Sequence, residues 1–222
     1  MIQRWRLISF IHHRVDASSI RQLVPSELEI DEFDGTAWVG LVPFRMTSRI
    51  AGISEIPWFS TFPETNVRTY VRGPDGGRGI WFFSLDVARS AMAGAGAAFG
   101  LPYRWSRMAI EGSFRDVTYT CRRLVPTLVR SRAAVVAQPL PIAMTAREHF
   151  LTARFQQYGT GPIGLFAIDV EHEPWTLHAA RAPILQDELV EAAGIRSASG
   201  APLVHQSAGV SDVRVGVPRR LT

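Results

Sequence analysis

Hydrophobic and polar positions alternate with a period of two along most of this chain, and only a few stretches carry helix punctuation. Residues 3–11, rich in Trp, Leu, Ile and Phe, predict a first strand. Asp16 is placed to cap a short helix over 17–24 that stops at Pro25. Residues 29–33 and 36–44 flank Asp34-Gly35, a two-residue turn that predicts a hairpin. Residues 47–63, with Gly52, Pro57 and Pro63, read as a loop that could close over a site. Strands follow at 66–72 and 78–85 around the turn Pro74-Asp75-Gly76-Gly77. Asp86 then predicts the cap of an Ala- and Gly-rich helix over 87–99, closed by Gly100.

The second half continues the pattern. Strands are predicted at 104–114, 117–123 and 127–137, the first two turning at Arg115-Asp116. Thr145 and Glu148 have the spacing of a capping box for a helix over 146–152. Strands at 153–158, 164–171 and 175–182 precede a helix over 186–193 ended by Gly194, and short strands at 203–206 and 213–217 complete the chain. This strand-rich order with isolated helices predicts one α+β domain over residues 1–222, built on an antiparallel, strongly curved sheet.

One strand has an unusual face. Glu64, Asn66, Arg68, Tyr70 and Arg72 share one parity, with Thr65, Val67, Thr69 and Val71 on the other. The partner strand, Ile80 to Leu85, is almost wholly apolar, as expected of a strand covered on both sides. The polar row is therefore expected to face an enclosed space, where Glu64 and Arg68 could pair. A solvated sheet face or a structural ion pair is the alternative.

Composition narrows the chemistry. The 222 residues carry a net charge of +4, and all 24 basic residues are arginine. A guanidinium stays protonated, so no side chain can form a Schiff base. The arginines are scattered without interleaved aromatics, which argues against nucleic acid. No apolar run is long enough for a membrane span and no signal-peptide pattern opens the chain, so no membrane association is expected. The single cysteine, Cys121, excludes an internal disulfide and reads as a small buried hydrophobe; a cytoplasmic location is the expectation. His12, His13, His149, His172, His178 and His205 show no metal-ligand spacing, although His12-His13 could place a ring at a barrel mouth. Neither metal nor cofactor is expected. No serine has a nucleophile-elbow context, and the glycines of 91–100 do not form a phosphate loop.

The segments WVGLVPFRM (38–46), FPETNVRTYV (62–71), GIWFFSLD (79–86) and GLPYRWSRM (100–108), together with EHFLTARF (148–155) and Val204-His205, resemble the YqjF-like family, DUF2071, over nearly the whole chain. That family is similar to the acetoacetate decarboxylase-like superfamily, which implies a cone-shaped, mostly antiparallel β-barrel with a few packing helices. The decarboxylases carry a glutamate on a strand and a later Gly-x-Pro-Lys-Lys motif. By resemblance Glu64 matches the glutamate, Gly100, Leu101 and Pro102 match the motif's start, and Tyr103 and Arg104 occupy its two lysine positions. Imine-forming decarboxylation is thereby removed, while the scaffold does not itself carry a function.

Three functions stay open. The first is an acid–base enzyme for a small carboxylate or keto acid. In it Glu64 and Tyr103 are the catalytic candidates, Asn66, Arg68, Tyr70 and Arg104 the substrate-binding candidates, and Arg72 a further carboxylate anchor. The second is a non-catalytic small-molecule binding protein. The third is an interaction scaffold. Homo-oligomerisation is compatible with each.

Overall fold

The computed structural model describes residues 1–49, 60–89, 100–196 and 199–221. Thirteen strands form one continuous sheet among these residues. They are β1 (Ile2–Val15), β2 (Glu29–Ile30), β3 (Ala37–Arg49), β4 (Thr61–Arg72), β5 (Arg78–Val87), β6 (Tyr103–Ser113), β7 (Asp116–Arg123), β8 (Val129–Ala137), β9 (Gln156–Gly161), β10 (Gly164–Glu171), β11 (His178–Asp187), β12 (Ser199–Val215) and β13 (Arg219–Arg220). Three short helices accompany them, α1 (Ala17–Ile20), α2 (Ala146–Thr152) and α3 (Leu189–Ala192).

The sheet closes into a nine-strand barrel in the order β5-β6-β7-β8-β11-β12-β1-β3-β4, with β4 returning to β5. A second closure runs from β5 through β9 and β10 back to β12. It shares the wall β12-β1-β3-β4-β5 with the barrel. The 17-residue strand β12 makes both closures possible: Val204 to Gln206 pair with β11, while Arg214 and Val215 pair with β10. Pairing is antiparallel except for β5 with β6 and β5 with β9, so the barrel is mixed.

Because the shared wall lies between two closures, both of its faces are buried. Ile11, Val39, Leu41 and Val67 face the barrel core with Val117, Tyr119 and Val135. Ile8, Phe10, Val42, Phe44 and Met46 face the second closure with Trp175, Val170 and Val213. This is why β3 reads as a nearly continuous apolar run from Ala37 to Phe44. Tyr158 packs against the Gly73–Gly79 turn, where a β-carbon on Gly73, Gly77 or Gly79 would overlap its ring.

Several expectations need correction. Residues 47–49 and 61–63 belong to β3 and β4, so the expected loop over 47–63 is shorter at both ends; Trp58 and Phe59 lie outside the described residues. Asp34-Gly35 does form the tight turn, at φ 51° and 67°, with Phe33 and Thr36 exchanging backbone hydrogen bonds of 2.9 and 3.1 Å. The strands beyond it diverge, β2 pairing with β4 and β3 with both β1 and β4. Asp86 and Val87 end β5, so Asp86 is not a helix cap there; the rest of the expected helix falls largely on residues 90–99, outside the described ones. Asp86 instead accepts both Nε (2.8 Å) and Nη2 (2.6 Å) of Arg123. Residues 186 and 187 extend β11, which shortens the last helix. The two short C-terminal strands are one, β12, and β13 was not expected. The capping box of α2 forms as the sequence predicts, with Thr145 and Glu148 joined side chain to side chain.

Candidate functional site

A cavity of about 260 Å³ lies within the second closure, lined from β1, β3, β4, β5, β6, β9, β10, β12 and the approach to β9. Glu64, Asn66 and Arg68 contribute a polar row to it. Their two-residue spacing puts all three on one face of β4, and each is less than a tenth exposed. The parallel pairing of β5 with β6 sets Tyr103 beside Leu85, itself opposite Asn66, which is opposite Val42. These four residues form one lateral row of the cavity wall. Glu64, Arg68 and Tyr103 thus line the same cavity. The expected Glu64–Arg68 ion pair does not form: Glu64 Oε2 and Arg68 Nε have no hydrogen-bond partner.

Four buried polar atoms in this wall lack partners among the described residues: Glu64 Oε2, Asn66 Oδ1, Arg68 Nε and Arg154 Nη2. A buried polar group without a partner is costly, so these four concentrate unsatisfied hydrogen-bonding capacity beside the cavity. Burial, reinforced by the Asp86 carboxylate, pushes the Glu64 carboxyl up to about 8. Burial and the neighbouring Glu64 also raise the Tyr103 hydroxyl, which stays protonated. Near neutral pH Glu64 is therefore a hydrogen-bond donor; above about 8 it becomes a carboxylate able to accept a proton.

Arg154, which the sequence analysis did not single out, completes the basic end. Its Nε donates to the Phe150 carbonyl at 2.7 Å and its Nη1 to Asp31 Oδ2 at 2.7 Å. Asp31 also accepts Arg72 Nε (2.9 Å) and Arg78 Nε (2.8 Å). Arg72 is thereby committed to an ion pair. The Arg68 and Arg154 guanidinium carbons lie 5.8 and 5.0 Å from the Tyr70 ring centre, so the two cations flank one aromatic. One buried carboxylate serves three arginines here, which leaves the cavity end cationic.

Two expected binding residues are not in the lining. Tyr70 shares the parity of Arg68 but is fully buried beyond it, packed on Phe150 and hydrogen-bonded to His12 Nε2 at 2.5 Å. Arg104 follows Tyr103 on the strand, pairs in register with Asp86, and its Nη1 donates to the Tyr103 carbonyl at 3.1 Å. His12 is buried, and burial with the Arg68 charge keeps its ring neutral. His172, by contrast, does line the cavity, against Trp5 and Trp175. Phe62, in β4, is buried with Phe44 and Met46. Cys121 is buried, and burial pushes its thiol up to about 12, so it is no ready nucleophile. Among the described residues no three His, Cys, Asp or Glu side chains converge, and no helix is long and apolar enough to cross a membrane.

Comparison with known proteins places this architecture. Among solved structures the fold is similar to the enduracididine biosynthesis enzyme MppR complexed with the condensation product of pyruvate and imidazole 4-carboxaldehyde (TM-score 0.69, 14% identity, 99% of this chain and 88% of that one). MppR also resembles it in a complex with pyruvate (TM-score 0.68, 13% identity, 99% and 90%). An acetoacetate decarboxylase-like enzyme from Sphingomonas wittichii RW1 matches with a TM-score of 0.66 and 17% identity over 100% of this chain and 92% of that one. In sequence, the chain is 36% identical over 209 residues to the uncharacterised protein YqjF of Bacillus subtilis, covering 92% of this chain and 86% of YqjF. The profile of DUF2071, a family of uncharacterised conserved proteins, matches residues 2–211. The chain belongs to the DUF2071 family and has the acetoacetate decarboxylase-like fold.

Proposed function

We propose that this chain binds a small 2-oxo carboxylate in the cavity and moves a proton on it. The observation that supports this reading best is the gathering of Glu64, Asn66, Arg68, Tyr103 and Arg154 in the wall of one cavity. Arg68 anchors the carboxylate through charge-assisted hydrogen bonds. Tyr103 donates its O–H to the ligand's carbonyl oxygen, and Asn66 offers an amide oxygen to an enol or hydroxyl group. In its ionised form Glu64 takes a proton from the carbon next to the carbonyl. The C–H electron pair becomes the enolate double bond, and the charge that develops on oxygen is stabilised by Tyr103. The proton returns from Glu64 or from solvent. No imine is needed, consistent with a chain that contains no lysine. Pyruvate complexes of a protein with the same fold support the ligand class.

The test is thermal unfolding with and without pyruvate, other 2-oxo acids and simple carboxylates. A ligand that binds only the folded chain raises the midpoint as its concentration rises. The proposal expects this for 2-oxo acids and its loss in Arg68→Met. No shift with any 2-oxo acid would refute it. A non-catalytic binding protein is the second reading, supported by the missing Schiff-base lysine; it expects the same binding but no proton exchange.

A further inference from the structure

The geometry points to a larger occupant than pyruvate: a monocarboxylate with an aromatic or comparably bulky apolar body. Its carboxylate is clamped between Arg68 and Arg154, and its body lies against the Trp5–Trp175–His172 wall. This rests on the functional reading above and narrows it to a substrate class.

The first support is size. The cavity's volume of about 260 Å³ is far above the roughly 10–15 Å³ that admits a single water. Pyruvate, anchored at one end, would leave most of that volume to solvent against an apolar surface. The second is the character of the wall. Away from the polar row it is built from Trp5, Phe44, Phe82, Phe166, Trp175 and aliphatic side chains. Trp5 and Trp175 are nearly parallel, with ring centres 6.1 Å apart and planes at 13°. His172 packs on Trp175 at 4.9 Å and on Phe155 at 5.0 Å. Burial and the Arg68 charge disfavour its protonation, so it adds a neutral ring. Such a wall recognises an apolar or aromatic body.

The third support is the arrangement of charge. Arg68 and Arg154 both line the cavity, and both guanidinium groups lie within 6 Å of the Tyr70 ring centre, at 5.8 and 5.0 Å. Glu64, protonated near neutral pH, lies further along β4. Two separate arginines would also suit a dicarboxylate, and the Met1 ammonium, hydrogen-bonded to the Val215 carbonyl at 3.1 Å, adds a cation near the lining; the aromatic wall favours an apolar body, and the 2-oxoglutarate arm of the test separates the two.

The experiment is titration calorimetry of the full chain with pyruvate, phenylpyruvate and 2-oxoglutarate, each repeated with Trp5→Leu. The expected result is phenylpyruvate binding at least about 30-fold more tightly than pyruvate, as burial of a ring implies. Trp5→Leu should shrink that ratio by weakening phenylpyruvate more than pyruvate, a selective change that partial unfolding would not produce. Pyruvate binding as tightly as phenylpyruvate, or 2-oxoglutarate binding tightest of the three, would overturn this inference and leave the general proposal standing. If none of the three binds, the general proposal falls and this one with it.

Discussion

Arg154 donates to the buried Asp31 carboxylate at 2.7 Å through Nη1, while its Nη2 is left without a partner in the cavity wall. One half of the guanidinium is thus fixed by the fold, while the other is buried without a partner beside the cavity. The planar fork of arginine permits this division, and lysine would not reproduce it.

This relationship makes Asp31 a support of the site as well as of the fold. Asp31→Asn removes the countercharge of three arginines, one of them almost wholly buried. Breaking a buried pair on one side typically costs about 3–5 kcal/mol. Urea unfolding at neutral pH should show a loss of that order. Arg154→Met should lose ligand affinity as well as stability. A loss under about 1 kcal/mol for Asp31→Asn would show that the arginines find other compensation.

Glu64 gives a pH signature. Its carboxyl titrates at about 8 when folded and near its ordinary value of 4.5 when unfolded. Between those values the folded chain holds a proton that the unfolded chain releases. The stability associated with that proton is complete below about 4.5 and is lost as pH rises through about 8. Glu64→Gln removes this loss. The variant should be more stable than the parent at about pH 9, with the difference shrinking toward pH 5. Parallel stability curves for the two proteins across that range would contradict the shifted carboxyl.

Asp86 and Arg123 form a two-point ion pair, with Ser106 Oγ donating to Asp86 Oδ1 at 2.7 Å. The Asp86 charge helps hold the Glu64 carboxyl protonated. Asp86→Asn should therefore lower the Glu64 titration midpoint, followed by carbon NMR of its carboxyl, and should also destabilise the fold by leaving Arg123 unpaired. An unchanged or raised midpoint would remove Asp86 from the electrostatics of the site.

Arg104 occupies the second lysine position by resemblance, yet it does not line the cavity. Arg104→Met should leave the affinity for an identified 2-oxo acid within about twofold, measured by calorimetry. A loss of tenfold or more would bring Arg104 back into the binding site.

The limits of sequence reading follow from these same residues. Alternation along β4 places Glu64, Asn66, Arg68 and Tyr70 on one face, but it does not say where the cavity stops. It stops before Tyr70 because Phe150 of α2 packs over that ring, a contact between residues far apart in the chain. Tyr103 and Arg104 are adjacent in sequence and therefore take opposite sides of β6, so one motif position could enter the cavity and the next could not. Asp86 has the residue type of a helix cap, and only its pairing with Arg123, 37 positions away, reveals its role. Arg154 lies in a segment that carries the family resemblance, but nothing local gives its role, since its partner Asp31 lies 123 positions earlier. The strands themselves were legible from period-two patterning. Their ends at β3, β4 and β12 were less so, because pairing partners lengthen a strand beyond its own apolar run.

The central claim is that Glu64 moves a proton on a bound 2-oxo acid. Its most direct measurement is proton NMR of a 2-oxo acid in D₂O with the parent chain and with Glu64→Gln, following exchange at the carbon beside the carbonyl. The account predicts exchange that the parent catalyses, that rises with pH through about 8 and levels off above it, and that falls by about 100-fold or more in Glu64→Gln, in line with the loss of a general base. Equal exchange rates for the two proteins, under conditions where both bind the ligand, would contradict it.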